Sequence, residues 1–167
     1  MIKTPVLAVD KGKGVLVHLE LESRKGRGTL FLDTKLCPDP EAKQAIDTAF
    51  SLLNIKERDI LVRIKGDRYN CLCGGSLALP VYLGMYACIQ GLKFKPKTFA
   101  TGCIDKKGNI TSVGGLAEKI KVILGRAETL LVPKGQSLPI EGIKVKEVSD
   151  LKEAIKLALK DDVQNDG

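Results

Sequence analysis

The sequence predicts an α+β fold, with helices packed on a mixed β-sheet in one sandwich-like domain. Three observations lead there. Strand-like segments come first, and helix-like segments then interleave with further strands without the regular alternation of a βαβ chain. The 167 residues are 44% hydrophobic, enough to bury one sizeable core. No repeat or low-complexity linker interrupts them, so a domain over residues 1–160 and a polar, disordered tail over 161–167 are expected.

Residues 15–21 alternate in part, and residues 29–33 follow a glycine-rich turn. Together they predict an antiparallel pair, with Arg24-Lys25-Gly26-Arg27-Gly28 as the solvated turn between its strands. Asp39 suits a helix cap, Pro40 the first helical position and Glu41 the positive end of the dipole. That helix should run to Leu53 and bury Ala42, Ala45, Ile46, Ala49, Phe50 and Leu53. Residues 59–64 are strand by their β-branched content, and a loop over 65–75 follows. Residues 76–90 read as a mostly buried helix with Pro80 in its first turn, where a missing amide costs little. Residues 98–104 and 109–111 flank Lys106-Lys107-Gly108 as a hairpin. A helix over 115–128, strands over 129–132 and 143–148, and a last helix to Leu159 capped by Ser149 or Asp150 complete the chain.

Composition narrows the function classes. A net charge of +7 favours anionic partners, but the lysines are dispersed, aromatics are 4% and tryptophan is absent, so nucleic-acid binding has no stacking platform or motif behind it. The longest apolar stretch, residues 77–89, is interrupted by Pro80 and Gly84 and is too short to span a bilayer. The N-terminus lacks the basic, apolar, small-residue order of a secretory signal, which predicts a cytoplasmic protein. Five cysteines and one histidine, His18, match no common zinc spacing, so reduced thiols are expected and no metal or cofactor is called for.

Two strings carry chemistry. Ser76 follows Cys73-Gly74-Gly75 at a predicted helix start, and Lys119 closes Gly114-Gly115-Leu116-Ala117-Glu118-Lys119. A serine hydroxyl needs a base to become a nucleophile, and a lysine can serve once burial lowers its pKa. Apolar Leu116, Ile120, Val122, Ile123 and Leu124 surround Lys119 in sequence. Amides of Gly75 and Ser76 at the helix start could hold an oxyanion, and Thr101 at a strand end could hold the lysine amine. By spacing alone, Ser76 reads first as a helix cap and Lys119 as a solvated helical lysine.

From Gly26 to Leu159 the chain resembles the proteolytic domain of Lon proteases. The likeness rests on Gly28-Thr29-Leu30-Phe31-Leu32-Asp33, on Ser76 after its glycine loop and on Thr101-Gly102. It also rests on Gly114 to Lys119, on Leu131-Val132-Pro133-Lys134-Gly135-Gln136 and on Val148-Ser149-Asp150-Leu151, all in the family's order. The resemblance implies a Lon-type fold and a serine endopeptidase acting on unfolded proteins or peptides. Ser76 would be its nucleophile, Lys119 its base, Thr101 a support for Lys119, and Gly74-Gly75 the oxyanion and substrate loop. It also implies a homo-oligomeric ring, often a hexamer; since this chain has no P-loop, three alternatives stand open, namely cutting unfolded chains, peptides or exposed loops unaided, borrowing a separate ATPase, or being a fragment of a longer protein. Cys73, Leu77, Ala78 and Cys103 depart from the family pattern. Two other readings stand beside it: a non-proteolytic binding or assembly module, like related domains on DNA-repair ATPases, and phosphate binding at the Gly74-Gly75-Ser76 helix start.

Overall fold

The computed structural model describes residues 1–69 and 71–162. Its first half contains β1 (Ile2–Asp10), β2 (Lys13–Lys25), β3 (Leu30–Leu32), α1 (Pro40–Leu53), β4 (Arg58–Ile64), α2 (Ala78–Gln90) and β5 (Leu92–Phe94). Its second half contains β6 (Thr98–Ala100), β7 (Cys103–Ile104), β8 (Ile110–Thr111), α3 (Leu116–Ile123), β9 (Thr129–Pro133), β10 (Lys144–Val148), α4 (Leu151–Ala158) and β11 (Leu159–Asp161). The fold is α+β, but the strands do not form one mixed sheet. Among the described residues they form a four-stranded sheet in the order β1-β2-β4-β3, a three-stranded sheet β10-β9-β6, and two two-stranded ribbons, β11-β5 and β7-β8.

The first sheet corrects the expected pairing of residues 15–21 with 29–33. β4 lies between them, antiparallel to β2 and parallel to β3. The cause is Asp59 at the start of β4, whose Oδ1 accepts from the amides of Arg27 at 3.0 Å and Thr29 at 2.8 Å. The glycine-rich turn therefore wraps around that carboxylate, and any side chain at Gly26 would collide with it. β1 covers the apolar run near the N-terminus. It is an edge strand, where the missing amide of Pro5 is tolerated, and it joins β2 through Lys11 and Gly12 at φ 51° and 78°.

α1 has the expected bounds. Asp39 accepts from the Ala42 amide at 2.9 Å, Ala42, Ala45, Ile46 and Ala49 are buried, and Phe50 and Leu53 are half-buried. α2 begins at Ala78, so Ser76 precedes the helix rather than capping it, and Leu77 at the cap makes no side-chain hydrogen bond. With apolar residues on every side, α2 is buried around most of its circumference.

The predicted strand over 98–104 is broken at Thr101-Gly102. There the chain leaves β9 and bonds the start of α2: the Gly102 amide donates to Ser76 O at 3.1 Å, and the Leu79 amide to Gly102 O at 3.0 Å. α3 ends at Ile123 rather than residue 128, because Leu124 turns extended and Gly125 takes φ 76°. Asp150 caps α4, donated to by the Glu153 amide at 2.8 Å. Asp161, expected in the disordered tail, lies in β11, and the rest of that expectation, residues 163–167, falls outside the described residues. No helix among the described residues is long and apolar enough to cross a membrane.

Two apolar clusters result. The larger gathers α1, α2 and α4 against β1, β2 and β4; the smaller holds Leu7, Phe99, Ile120, Ile123, Ala127, Leu130, Val132 and Ile143. Strand alternation links them, since Val6 and Leu131 face the larger cluster while Leu7, Leu130 and Val132 face the smaller.

Candidate active site

Ser76 belongs to the turn that enters α2. Gly74 reaches φ 87°, a conformation that favours glycine, and its amide donates to Asp39 Oδ2 at 2.9 Å. The Asp39 carboxylate therefore does two jobs, capping α1 and tethering the loop before the serine. The Ser76 carbonyl is held by the Gly102 amide, and the Ala78 amide closes the turn onto Gly75 O at 3.1 Å. Among the described residues, the Gly75 and Ser76 amides have no acceptor.

Lys119 sits in the first turn of α3, which starts at Gly115 with φ 66°. A Cβ on Gly115 would stand 2.8 Å from Val9 Cγ2, so the glycine lets the helix start close against β1. The lysine side chain is only 3% exposed, and its Nζ donates to Ser76 Oγ at 3.0 Å. Burial holds the amine below the ordinary lysine value of 10.5, with a smaller opposing influence from the nearby Cys103 thiol. Of the apolar residues flanking Lys119 in sequence, Ile120 and Ile123 are buried, whereas Leu124 is 51% exposed and does not shield the amine.

Thr101 is placed differently from its expected role. Its amide donates to Leu131 O at 3.1 Å, and its hydroxyl is buried without a hydrogen-bond partner among the described residues. The hydrogen bond expected between Thr101 and Lys119 is not formed. An unsatisfied buried hydroxyl costs about 1–3 kcal/mol.

Ser76 and Lys119 open onto a cleft of about 450 Å³ walled by Gly74-Gly75 on one side and Ser112 to Gly115 on the other. The second wall is clamped by Gln136, whose Oε1 accepts from the Val113 amide at 2.8 Å and whose Nε2 donates to Val113 O at 2.9 Å. Cys73 and Cys103 line the cleft, as does Glu41. Leu77 is 3% exposed and packs in the larger cluster, so that departure from the Lon pattern leaves the cleft wall untouched. Burial raises both the Cys73 and the Cys103 thiols, and Cys71 Sγ stands 3.9 Å from Cys73 Sγ. The described residues hold no cluster of three or more metal-ligating side chains.

Sequence reasoning missed the tether by Asp39, the clamp by Gln136 and the place of Glu41 in the cleft. Asp39 and Glu41 carried only helix-start signals, and Gln136 carried none beyond its turn. Chemically, the site offers a hydroxyl beside a buried lysine and, among the described residues, backbone amides without acceptors next to that hydroxyl, at the wall of a cleft. Comparison with protein-family models and with curated proteins returns no match.

Proposed function

We propose that the chain is a Lon-like serine endopeptidase, with a Lon-type fold, that hydrolyses peptide bonds in unfolded proteins or peptides. The observation that supports this reading most is the 3.0 Å hydrogen bond between Ser76 Oγ and the amine of a lysine residue that is 3% exposed. A solvated lysine beside a serine stays charged and cannot take a proton at neutral pH. A buried one moves toward neutrality and gains the lone pair that general-base catalysis requires.

In this mechanism neutral Lys119 Nζ removes the Ser76 proton as Oγ forms a bond to the scissile carbonyl carbon. The carbonyl π electrons move onto oxygen, and the amides of Gly75 and Ser76 donate to the oxyanion. The C–N bond then breaks, and the Lys119 ammonium returns its proton to the leaving amine, leaving an acyl-serine. Water then attacks that ester carbon while Lys119 takes its proton, the bond from carbon to Ser76 Oγ breaks, and the Lys119 ammonium returns the proton to Oγ as the acid product leaves. Ring assembly and supply of unfolded chains by a separate ATPase belong to the same proposal. Sedimentation of the purified chain tests the ring.

The deciding experiment incubates the protein with casein and with short unstructured peptides, without ATP, beside Ser76→Ala and Lys119→Ala. Cleavage by the wild type alone is expected. Equal cleavage by all three proteins would remove the dyad.

A further inference from the structure

A second groove of about 490 Å³ adjoins the dyad cleft. The two share Glu41, Gly75 and Cys103, so the boundary between them runs past Gly75, the residue before Ser76. The groove is formed by one face of α1, namely Glu41, Gln44, Ala45 and Thr48, with Ile104 of β7 opposite. Residues three and four apart on a helix share a face, which is why these four line up.

Its chemistry is uneven along its length. Ala45 and Ile104, 8% and 9% exposed, give an apolar floor. Gln44 Nε2 donates to Thr48 Oγ1 at 3.3 Å, which leaves the Gln44 carbonyl oxygen turned to acceptor duty. Glu41 is exposed and, among the described residues, forms no salt bridge. The chain has 27 lysines and arginines, yet among the described residues none lines this groove, and Lys119 is the basic residue that lines the adjoining cleft. A carboxylate and an amide oxygen over an apolar floor match a side chain with a long aliphatic stem and a cationic head. An acidic side chain meets like charge there, and a purely apolar one leaves the carboxylate facing it uncompensated.

We propose that this groove is a specificity pocket for a basic side chain, so that preferred substrates carry lysine or arginine on the residue whose carbonyl Ser76 attacks. This rests on the endopeptidase reading for the position of that carbonyl. The residue bearing the carbonyl lies against Gly75, and its side chain leaves one bond away, over the shared boundary and into the groove. Glu41 and the Gln44 carbonyl oxygen receive the cationic head, and Ala45 and Ile104 receive the stem.

The test uses four unstructured peptides differing only at one central residue, Lys, Arg, Leu or Glu, at about 0.15 M salt to screen long-range charge. Cleavage by the wild type, Glu41→Gln and Glu41→Lys is read as kcat/KM. Binding of the same fluorescent peptides to the Ser76→Ala protein, with and without Glu41→Gln, is read by anisotropy. The pocket predicts that Lys and Arg exceed Leu, and Leu exceeds Glu, in both readouts. Glu41→Gln should shrink the Lys-to-Leu ratio about fivefold, and Glu41→Lys should favour Glu over Lys.

Because the net charge of +7 draws acidic peptides non-specifically, a preference for Lys in binding runs against the bulk field. Equal ratios in all variants, or Leu preferred over Lys by the wild type, overturn the pocket even when cleavage depends on Ser76. A Glu41-dependent preference for Lys in binding without any cleavage supports the pocket and overturns the protease reading. Absence of binding and of cleavage for every peptide overturns both.

Discussion

Asp39→Ala separates a helix cap from a part of the catalytic frame. Asp39 Oδ2 accepts two amides, from Ala42 in α1 and from Gly74 in the loop before Ser76, each at 2.9 Å. Loss of an N-cap costs about 1 kcal/mol, and loss of a second charge-assisted bond adds about 1.5 kcal/mol. Their sum, about 2.5 kcal/mol, is to be read from urea unfolding followed by circular dichroism.

The molecule supplies its own control in Asp150, whose Oδ1 accepts the Glu153 amide at 2.8 Å at the start of α4, far from the dyad in sequence. Asp150→Ala should cost about 1 kcal/mol and leave peptide hydrolysis intact. Asp39→Ala frees Gly74, lets the Gly75 and Ser76 amides drift from the oxyanion, and should lower kcat about 10- to 100-fold, somewhat less than complete loss of an oxyanion donor. Asp39→Asn retains a good cap with a weaker acceptor and should fall between. Equal stability losses for Asp39→Ala and Asp150→Ala, with kcat unaffected in both, would refute the tether.

Three further outcomes follow from the same geometry. Because burial holds Lys119 below 10.5, the unfolded chain binds more protons between the folded value and 10.5, so native stability rises with pH across that window. Lys119→Met should therefore be more stable than the wild type at neutral pH, by a margin that shrinks as pH approaches 10.5, measured by unfolding at several pH values. Thr101→Val removes a buried, unsatisfied hydroxyl and should stabilise by about 1 kcal/mol in urea unfolding, with Thr101→Ser close to the wild type. Gly115→Ala forces a side chain into φ 66° and to 2.8 Å from Val9 Cγ2; it should cost about 1–2 kcal/mol and lower kcat, both absent in Gly114→Ala, whose Cβ meets nothing within 4 Å.

What could be read in the sequence tracks how local the determining interaction is. α1 was legible to the residue because Asp39, Pro40 and Glu41 act on amides within one turn of themselves. The pairing of β3 was not, because Asp59 sets it from 30 positions away through the Thr29 amide. β5 and β11 are three residues each and gain their strand character only from pairing Leu92 to Phe94 with Leu159 to Asp161. The dyad was visible as two glycine-led strings, yet the side chains that hold its walls were not. Gly74 lies 35 positions from Asp39, and Val113 lies 23 from Gln136, so neither contact has a signature in spacing. Glu41 was legible only as a dipole residue, since the groove it lines exists only once β7 is brought against α1.

The two groups of the proposed dyad stand on different apolar clusters. Ser76 enters α2 of the larger cluster, while Lys119 rides on α3, whose Ile120 and Ile123 anchor the smaller. No covalent or local constraint fixes their separation. It is set instead by the β1-β2 hairpin, which sends Val6 into one cluster and Leu7 into the other, and by Gly14, where any side chain would strike the Glu118 carbonyl of α3. The same packing against β1 that brings the amine to 3.0 Å from the hydroxyl also takes it out of water. Proximity and lowered basicity thus have one cause, and a solvated lysine at this position would have neither. In the proposed mechanism the base works only while it is buried between the two clusters, so loosening of the smaller cluster should impair hydrolysis before it unfolds the helix that Ser76 enters.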